Sequence, residues 1–112
     1  MKIALTNVPP DQAENIARAL VEERLVACVN AYPVRSTYRW EGRLEVQSEI
    51  TLMMKVSADG VGGLRTRLRE LHPYELPEFI VLDVDVASSL PAYVEWVRIE
   101  SRGSAGNGSG ER

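Results

Sequence analysis

Cysteine, histidine and phenylalanine are the scarcest residue types in this sequence, with one of each in 112 residues. A single Cys excludes an internal disulfide and every zinc module built from several cysteines. A single His excludes an all-imidazole metal site and the HExxH motif. A metal site with three or four protein ligands therefore needs carboxylates, or ligands contributed by other subunits.

Other absences argue against whole classes of partner. No run approaches the roughly 20 apolar residues that a membrane span requires, and the first residues lack the apolar stretch of a secretory signal. We therefore expect a cytoplasmic protein that does not contact membranes. The formal charge is −3 and no RNP1-type aromatic motif is present, so nucleic acid is not an expected partner. P-loop, GxGxxG and GxSxG patterns are also missing.

Hydrophobic patterning predicts a single α+β domain over residues 1–102. Alternating apolar residues predict strands at 2–8, 26–40, 43–56 and 79–86. Apolar residues at helical spacing predict helices from Asp11, from Asp59 up to Pro73, and from Pro91. The order β-α-β-β-α-β with an extra C-terminal helix is ferredoxin-like. Residues 103–112 hold four of the eight glycines and are expected to form a flexible Gly/Ser-rich tail.

The second and third predicted strands form an unusually long β-hairpin. A two-residue turn at Glu41 and Gly42 places Cys28 opposite Lys55, and Pro33 is expected to mark a bulge. Each arm has about 14 residues, roughly 45 Å, which is more than two short helices can cover. We expect the distal half to project from the body and to pack on another subunit, which predicts a homo-oligomer.

Two groups of side chains are candidate ligand sites. Cys28 and the diagonally opposite Met53 are a soft pair that suits Cu(I), although Cys28 can equally be a small hydrophobe on a sheet face. His72 opens a loop, residues 72–78, that also contains a phenol and two carboxylates and is stiffened by two prolines. The alternative role for His72 is that of a cation at a helix C-terminus.

Several segments, in this order along the chain, resemble the CutA divalent-cation tolerance family. They are residues 25–30 (LVACVN), residues 36–42 (STYRWEG), Glu49 with Lys55, and residues 72–78 (HPYELPE). The match spans nearly all of residues 1–102. The resemblance implies a tight homotrimer, similar in architecture to the trimeric PII signalling proteins, and a link to tolerance of copper and other divalent metals. It implies no enzyme chemistry and no organic cofactor.

The candidate site residues follow from these motifs and from the hairpin register. The candidate metal ligands are Cys28, His72, Glu75 and Met53, and the candidate cleft residues are Tyr38, Trp40, Glu49, Lys55, Tyr74 and Glu78. Some family members carry a further Cys in the first loop, where this sequence has residues 7–10 (NVPP).

Two functions are therefore considered. The first is a homotrimer that binds copper or another divalent metal in the response to metal ions. The alternative is a PII-like module that binds a small anionic metabolite or a protein partner in a cleft between subunits, lined by Arg39, Lys55 and the loop 72–78.

Overall fold

The computed structural model describes residues 1–102, and the predicted tail 103–112 lies outside the described residues. The strands are β1 (Lys2–Val8), β2 (Cys28–Trp40), β3 (Arg43–Val56) and β4 (Ile80–Asp83). The helices are α1 (Ala13–Glu22), α2 (Val61–Leu71) and α3 (Pro91–Glu100). Elements thus follow one another in the predicted ferredoxin-like order, with α3 as the extra C-terminal helix. No helix within residues 1–102 is long and apolar enough to cross a membrane.

The four strands form one antiparallel sheet in the order β2-β3-β1-β4. Apolar residues of α1 and α2, such as Ile16 and Leu64, belong to one buried cluster with Leu52 and Met54 of β3. Their helical spacing gives each helix one apolar face, and that face packs on one side of the sheet. The core therefore lies between these two helices and the central strands.

The hairpin register agrees with the prediction from Cys28 opposite Lys55 to Tyr32 opposite Thr51, and it continues unbroken to Trp40 opposite Arg43. The turn is made by Glu41 (φ 50°) and Gly42 (φ 81°), both in the left-handed region that two-residue hairpin turns require. The predicted bulge at Pro33 is wrong, because Pro33 lies in register opposite Ile50. β2 is the edge strand of the sheet, where a missing N–H is tolerated.

The distal half of the hairpin extends beyond the body, as predicted. The described chain measures 48 × 31 × 20 Å along its principal axes. The side chains of Leu44 and Val46, near the hairpin tip, are 68% and 55% exposed. These are high values for large apolar residues.

Several element boundaries differ from the sequence prediction, and β4 begins at Ile80 rather than at residue 79. β2 begins at Cys28, and α1 begins at Ala13 after a separate helical turn, Pro10–Gln12. β4 ends at Asp83 and is followed by the helical turn Val86–Ser88. There, the Ser88 hydroxyl donates to the Asp85 carboxylate at 2.9 Å and the Ser88 N–H donates to the Asp85 carbonyl at 3.2 Å. β4 ends where its partner ends, because Asp83 pairs with Lys2, the first residue of β1, and the local bonds then hold the chain in the helical turn.

Candidate functional site

A cleft of about 810 Å³ lies where the hairpin extends past the end of β1. β1 ends at Val8, opposite Ile50, so residues 43–49 of β3 have no partner from β1. The loop 72–78 comes next to this part of β3 and forms the second wall. The lining consists of β2 residues 36–40, Gln47 and Glu49 of β3, Asn7, and most of the loop.

Hydrogen bonds to β1 hold both ends of the loop. The Thr6 hydroxyl donates to the Glu78 carbonyl at 2.6 Å. His72 Nε2 donates to the Asn7 carbonyl at 2.8 Å, and the N–H of Tyr74 donates to His72 Nδ1 at 3.2 Å. A carbonyl can only accept and an N–H can only donate, so this geometry assigns the neutral tautomer protonated at Nε2. His72 is only 7% exposed, and burial lowers its pKa.

The Tyr74 phenol connects the loop to the hairpin. Its hydroxyl donates to Glu49 Oε2 at 2.5 Å and accepts from Gln47 Nε2 at 3.2 Å. The Gln47 side-chain oxygen in turn accepts from the Tyr38 hydroxyl on β2. Burial and the hydrogen bond to Glu49 raise the pKa of Tyr74, so the phenol is a proton donor throughout the neutral range.

The cleft is acidic. Its lining contains the carboxylates of Glu49, Glu75 and Glu78 against the one guanidinium of Arg39, a formal charge of −2. Partial loss of water and the nearby charge of Glu49 raise the pKa of Glu78. A carboxylate beside a second one is stabilised by a positive ligand.

The Cys28 group lies at a different place on the sheet. Cys28 is directly opposite Lys55, and Met53 is opposite Asn30, hence diagonal to Cys28. Lys55 Nζ donates to Asn30 Oδ1 at 2.8 Å and lies 5.7 Å from the centroid of the Tyr93 ring. The ammonium is thus engaged by an amide and an aromatic ring, and Cys28 Sγ lies 3.8 Å from the same Asn30 oxygen.

The structure therefore separates the predicted site residues into two groups. Tyr38, Trp40, Glu49, Tyr74, Glu75 and Glu78 line the cleft, and His72 supports its loop. Lys55 lies outside the cleft, four ladder positions from Thr51, which pairs with Asn7 at the cleft. Four positions correspond to about 13 Å along a strand. Among residues 1–102, no group of three or more His, Cys, Asp or Glu side chains is arranged to hold a metal ion.

Two polar residues of the cleft that lie outside the motif segments, Asn7 and Gln47, were not predicted from the sequence. Gln47 was open to recognition, because it stands two residues before Glu49 and therefore on the same face of β3. Asn7 was not, because its place in the cleft depends on the packing of the loop 72–78 against β1. The same holds for Tyr93, which reaches Lys55 only through the placement of α3.

Comparison with known proteins agrees with the fold and the motifs. The family model described as "CutA1 divalent ion tolerance protein" matches residues 2–100. The divalent-cation tolerance protein CutA of Thermus thermophilus is 39% identical over 99 residues, covering 87% of this chain and 94% of the relative. Human Protein CutA is 45% identical over 87 residues, or 77% of this chain, which spans 48% of the human protein.

Solved structures share the fold of this chain over most of its length. The PII-like protein CutA from Nostoc sp. PCC 7120, in apo form, has a TM-score of 0.89 at 57% identity and covers 90% of this chain and 97% of its own. The periplasmic divalent cation tolerance protein CutA from Archaeoglobus fulgidus has a TM-score of 0.84 at 26% identity, covering 90% and 99%. Family model, sequence relatives and fold thus agree over the whole ferredoxin-like domain, and the chain belongs to the CutA1 divalent ion tolerance protein family.

Proposed function

We propose that this chain is a cytoplasmic, homotrimeric divalent-cation tolerance protein that binds copper or another divalent metal through ligands shared between subunits. Its role in the response to metal ions is binding rather than catalysis. The family to which the chain belongs is described by divalent ion tolerance, which supports the metal but does not identify it.

One observation carries the sharing of ligands. Within residues 1–102 the candidate ligand atoms stand in incomplete sets: the thiol and thioether of Cys28 and Met53 on one part of the sheet, and carboxylates such as Glu75 in the loop. Cys28 is a free thiol that is partly exposed. Two ligands per subunit become a full coordination shell when equivalent residues of neighbouring subunits meet.

Calorimetric titration of the full chain with Cu(I) under reducing conditions tests the soft pair. Cys28→Ser and Met53→Leu should each lose Cu(I) binding, because a hydroxyl and an alkyl group are poor ligands for a soft ion. Glu14→Gln, a charge change on the exposed side of α1, is the control and should bind like the wild type. Unchanged binding in Cys28→Ser would remove Cys28 from the ligand set.

The same titration with Cu(II) and Zn(II) tests the loop. Glu75→Gln should weaken binding of these harder ions. His72 has both ring nitrogens hydrogen bonded, so it binds a metal only by giving up Asn7 or the N–H of Tyr74. His72→Ala therefore distinguishes two roles of His72, metal ligand and structural support of the loop. Wild-type metal affinity in this variant would exclude His72 as a ligand.

The homotrimer is proposed from the exposed apolar side chains of the projecting hairpin. Leu44 and Val46 share one face of the hairpin, because they are two residues apart in β3. Leu44→Glu combined with Val46→Glu should yield monomers in size-exclusion chromatography with light scattering, as should deletion of residues 38–45. Leu76→Glu is the control, since Leu76 is equally exposed but lies in the loop. A persistent trimer in the double variant would place the interface elsewhere.

The alternative, a PII-like module for a small molecule or a protein partner, is supported by the cleft between hairpin and loop. Its volume suits a metabolite-sized ligand. The predicted anionic ligand would meet Arg39 there but not Lys55, and would face three carboxylates. A thermal-shift screen with anionic metabolites and with metals separates the two functions, because only one class of ligand should raise the melting temperature.

Cytoplasmic localisation is proposed from the sequence. Fractionation of cells that express the full chain, followed by immunodetection, should find it with cytoplasmic markers. Recovery with an extracytoplasmic marker would contradict the proposal.

A further inference from the structure

The cleft combines acidic and aromatic side chains. Tyr38, Trp40 and Tyr74 line it together with Glu49 and the other two carboxylates. An aromatic ring presents a negative face that attracts cations, and the attraction increases when water is excluded. Rings and carboxylates therefore favour the same class of ligand.

Glu49 offers an acceptor for such a ligand. It is 5% exposed and lines the cleft. Its Oε2 accepts the Tyr74 hydroxyl, whereas no hydrogen bond from residues 1–102 reaches its Oε1. A carboxylate offers about four acceptor positions, and Oε1 is not among the described side-chain atoms that are buried without a partner, so it is open to a donor that enters the cleft. A positively charged donor in the cleft would complete it.

The size of the cleft distinguishes an organic cation from a bare metal ion. Its volume of about 810 Å³ is that of a site for a small organic molecule. Within the described residues its carboxylates are not gathered into a group that could coordinate a metal. The aromatic rings would not contact a hydrated metal ion directly, but they would contact the alkyl groups of an organic cation.

We propose that this cleft binds a small organic cation, with an ammonium or quaternary ammonium group held by Glu49 and the surrounding aromatic rings. The site is separate from the proposed ligands Cys28 and Met53, although the proposed ligand Glu75 lines the same cleft. Its failure would leave metal binding at Cys28 untouched, and a failure of metal binding would leave this cleft intact.

Choline and its neutral carbon isostere, 3,3-dimethylbutan-1-ol, are the probes. Both are titrated into the ¹⁵N-labelled full-length Trp96→Phe variant, in which Trp40 gives the only indole signal because the chain has two Trp residues. Choline should shift that signal in a saturable way. The isostere, which has the same shape without the charge, should bind about tenfold more weakly or not at all.

Two variants and one control complete the test. Glu49→Gln and Trp40→Leu should each weaken choline binding about tenfold in saturation-transfer NMR, and Glu14→Gln should not. Trp40→Leu keeps the test decisive if Glu49→Gln fails to fold. The proposal is overturned if the isostere binds as well as choline, if neither variant weakens binding, or if choline gives no saturable shift. Displacement of choline by Zn(II) with the same variant dependence would instead make this a site for inorganic cations, which also overturns it.

Discussion

The Tyr74 hydroxyl should stabilise the fold mainly by donating a hydrogen bond to the buried carboxylate of Glu49. The variant Tyr74→Phe tests this directly. The substitution removes one oxygen and leaves the ring, so packing against His72, whose ring centroid is 4.8 Å away, is retained. What is lost is the donor 2.5 Å from Glu49 Oε2 and the acceptor 3.2 Å from Gln47 Nε2.

The expected magnitude follows from the charge and burial of the acceptor. Glu49 is 5% exposed, so water cannot fully replace the lost donor. Hydrogen bonds to charged groups contribute about 1.5–3 kcal/mol and neutral ones about 0.5–1.5 kcal/mol. Tyr74→Phe should therefore lower the free energy of unfolding by about 2 kcal/mol in the wild-type background. In a Glu49→Gln background, where the acceptor is neutral, the loss should be about 1 kcal/mol.

Urea unfolding at neutral pH and one fixed protein concentration measures the four free energies of this double-mutant cycle. Fixed concentration matters because subunit association would add to apparent stability. A coupling free energy of about 1 kcal/mol between the two positions is expected. Equal losses in both backgrounds would refute the reasoning, since the hydroxyl would then act independently of the charge.

Three further predictions concern the surroundings of the cleft and the hairpin turn. Burial lowers the pKa of His72 below its usual 6.5. As the pH falls, the unfolded chain therefore takes up the proton before the folded chain does. The stability due to neutral His72 is fully present above about pH 6.5 and is lost as the pH falls through the folded-state pKa. Urea unfolding between pH 7.5 and 5 should show this fall, and His72→Gln should reduce its slope; an unchanged slope would contradict the assignment. Thr6→Val should lower the free energy of unfolding by about 1 kcal/mol, because it removes the donor to the Glu78 carbonyl from a fully buried position; thermal unfolding indistinguishable from wild type would count against that anchor. Gly42→Ala should lower the melting temperature because φ is +81° there, with a loss of about 1 kcal/mol in the free energy of unfolding. The control is Gly62→Ala in α2, where the added Cβ has free space, and this variant should not lower the melting temperature.

Much of the fold followed from sequence because its signals are local or periodic. Alternation in β3 and helical spacing of Leu64 and Leu68 reflect burial on one face, and the structure places these side chains in the core. The hairpin register up to Pro33 followed from one turn, because Gly42 suits positive φ. The Pro33 bulge was predicted wrongly because the edge position of β2 depends on strand order, which no local pattern contains.

The candidate site was predicted only in part. The loop 72–78 and the hairpin residues Tyr38 and Trp40 stand out as motifs, and the structure brings them to one cleft. Lys55 lies beside Cys28 and outside this cleft, and its expected place in a cleft between subunits stays a prediction. A shared family motif indicates that residues are functionally related, but it does not give the distance between them in the fold.

By itself, the sequence determined the ferredoxin-like order, the long hairpin and its register, and the scarcity of Cys and His that makes a complete Cys/His metal site in one subunit impossible. Those features depend on residue type, periodicity and local turn chemistry. Only the tertiary structure decided that the loop 72–78 packs beside β3, that the Tyr74 hydroxyl reaches Glu49, and that the cleft is acidic and aromatic. These facts arise from contacts between residues about 25 or more positions apart, and such contacts exist only once β1 ends short of the hairpin and leaves one side of β3 open.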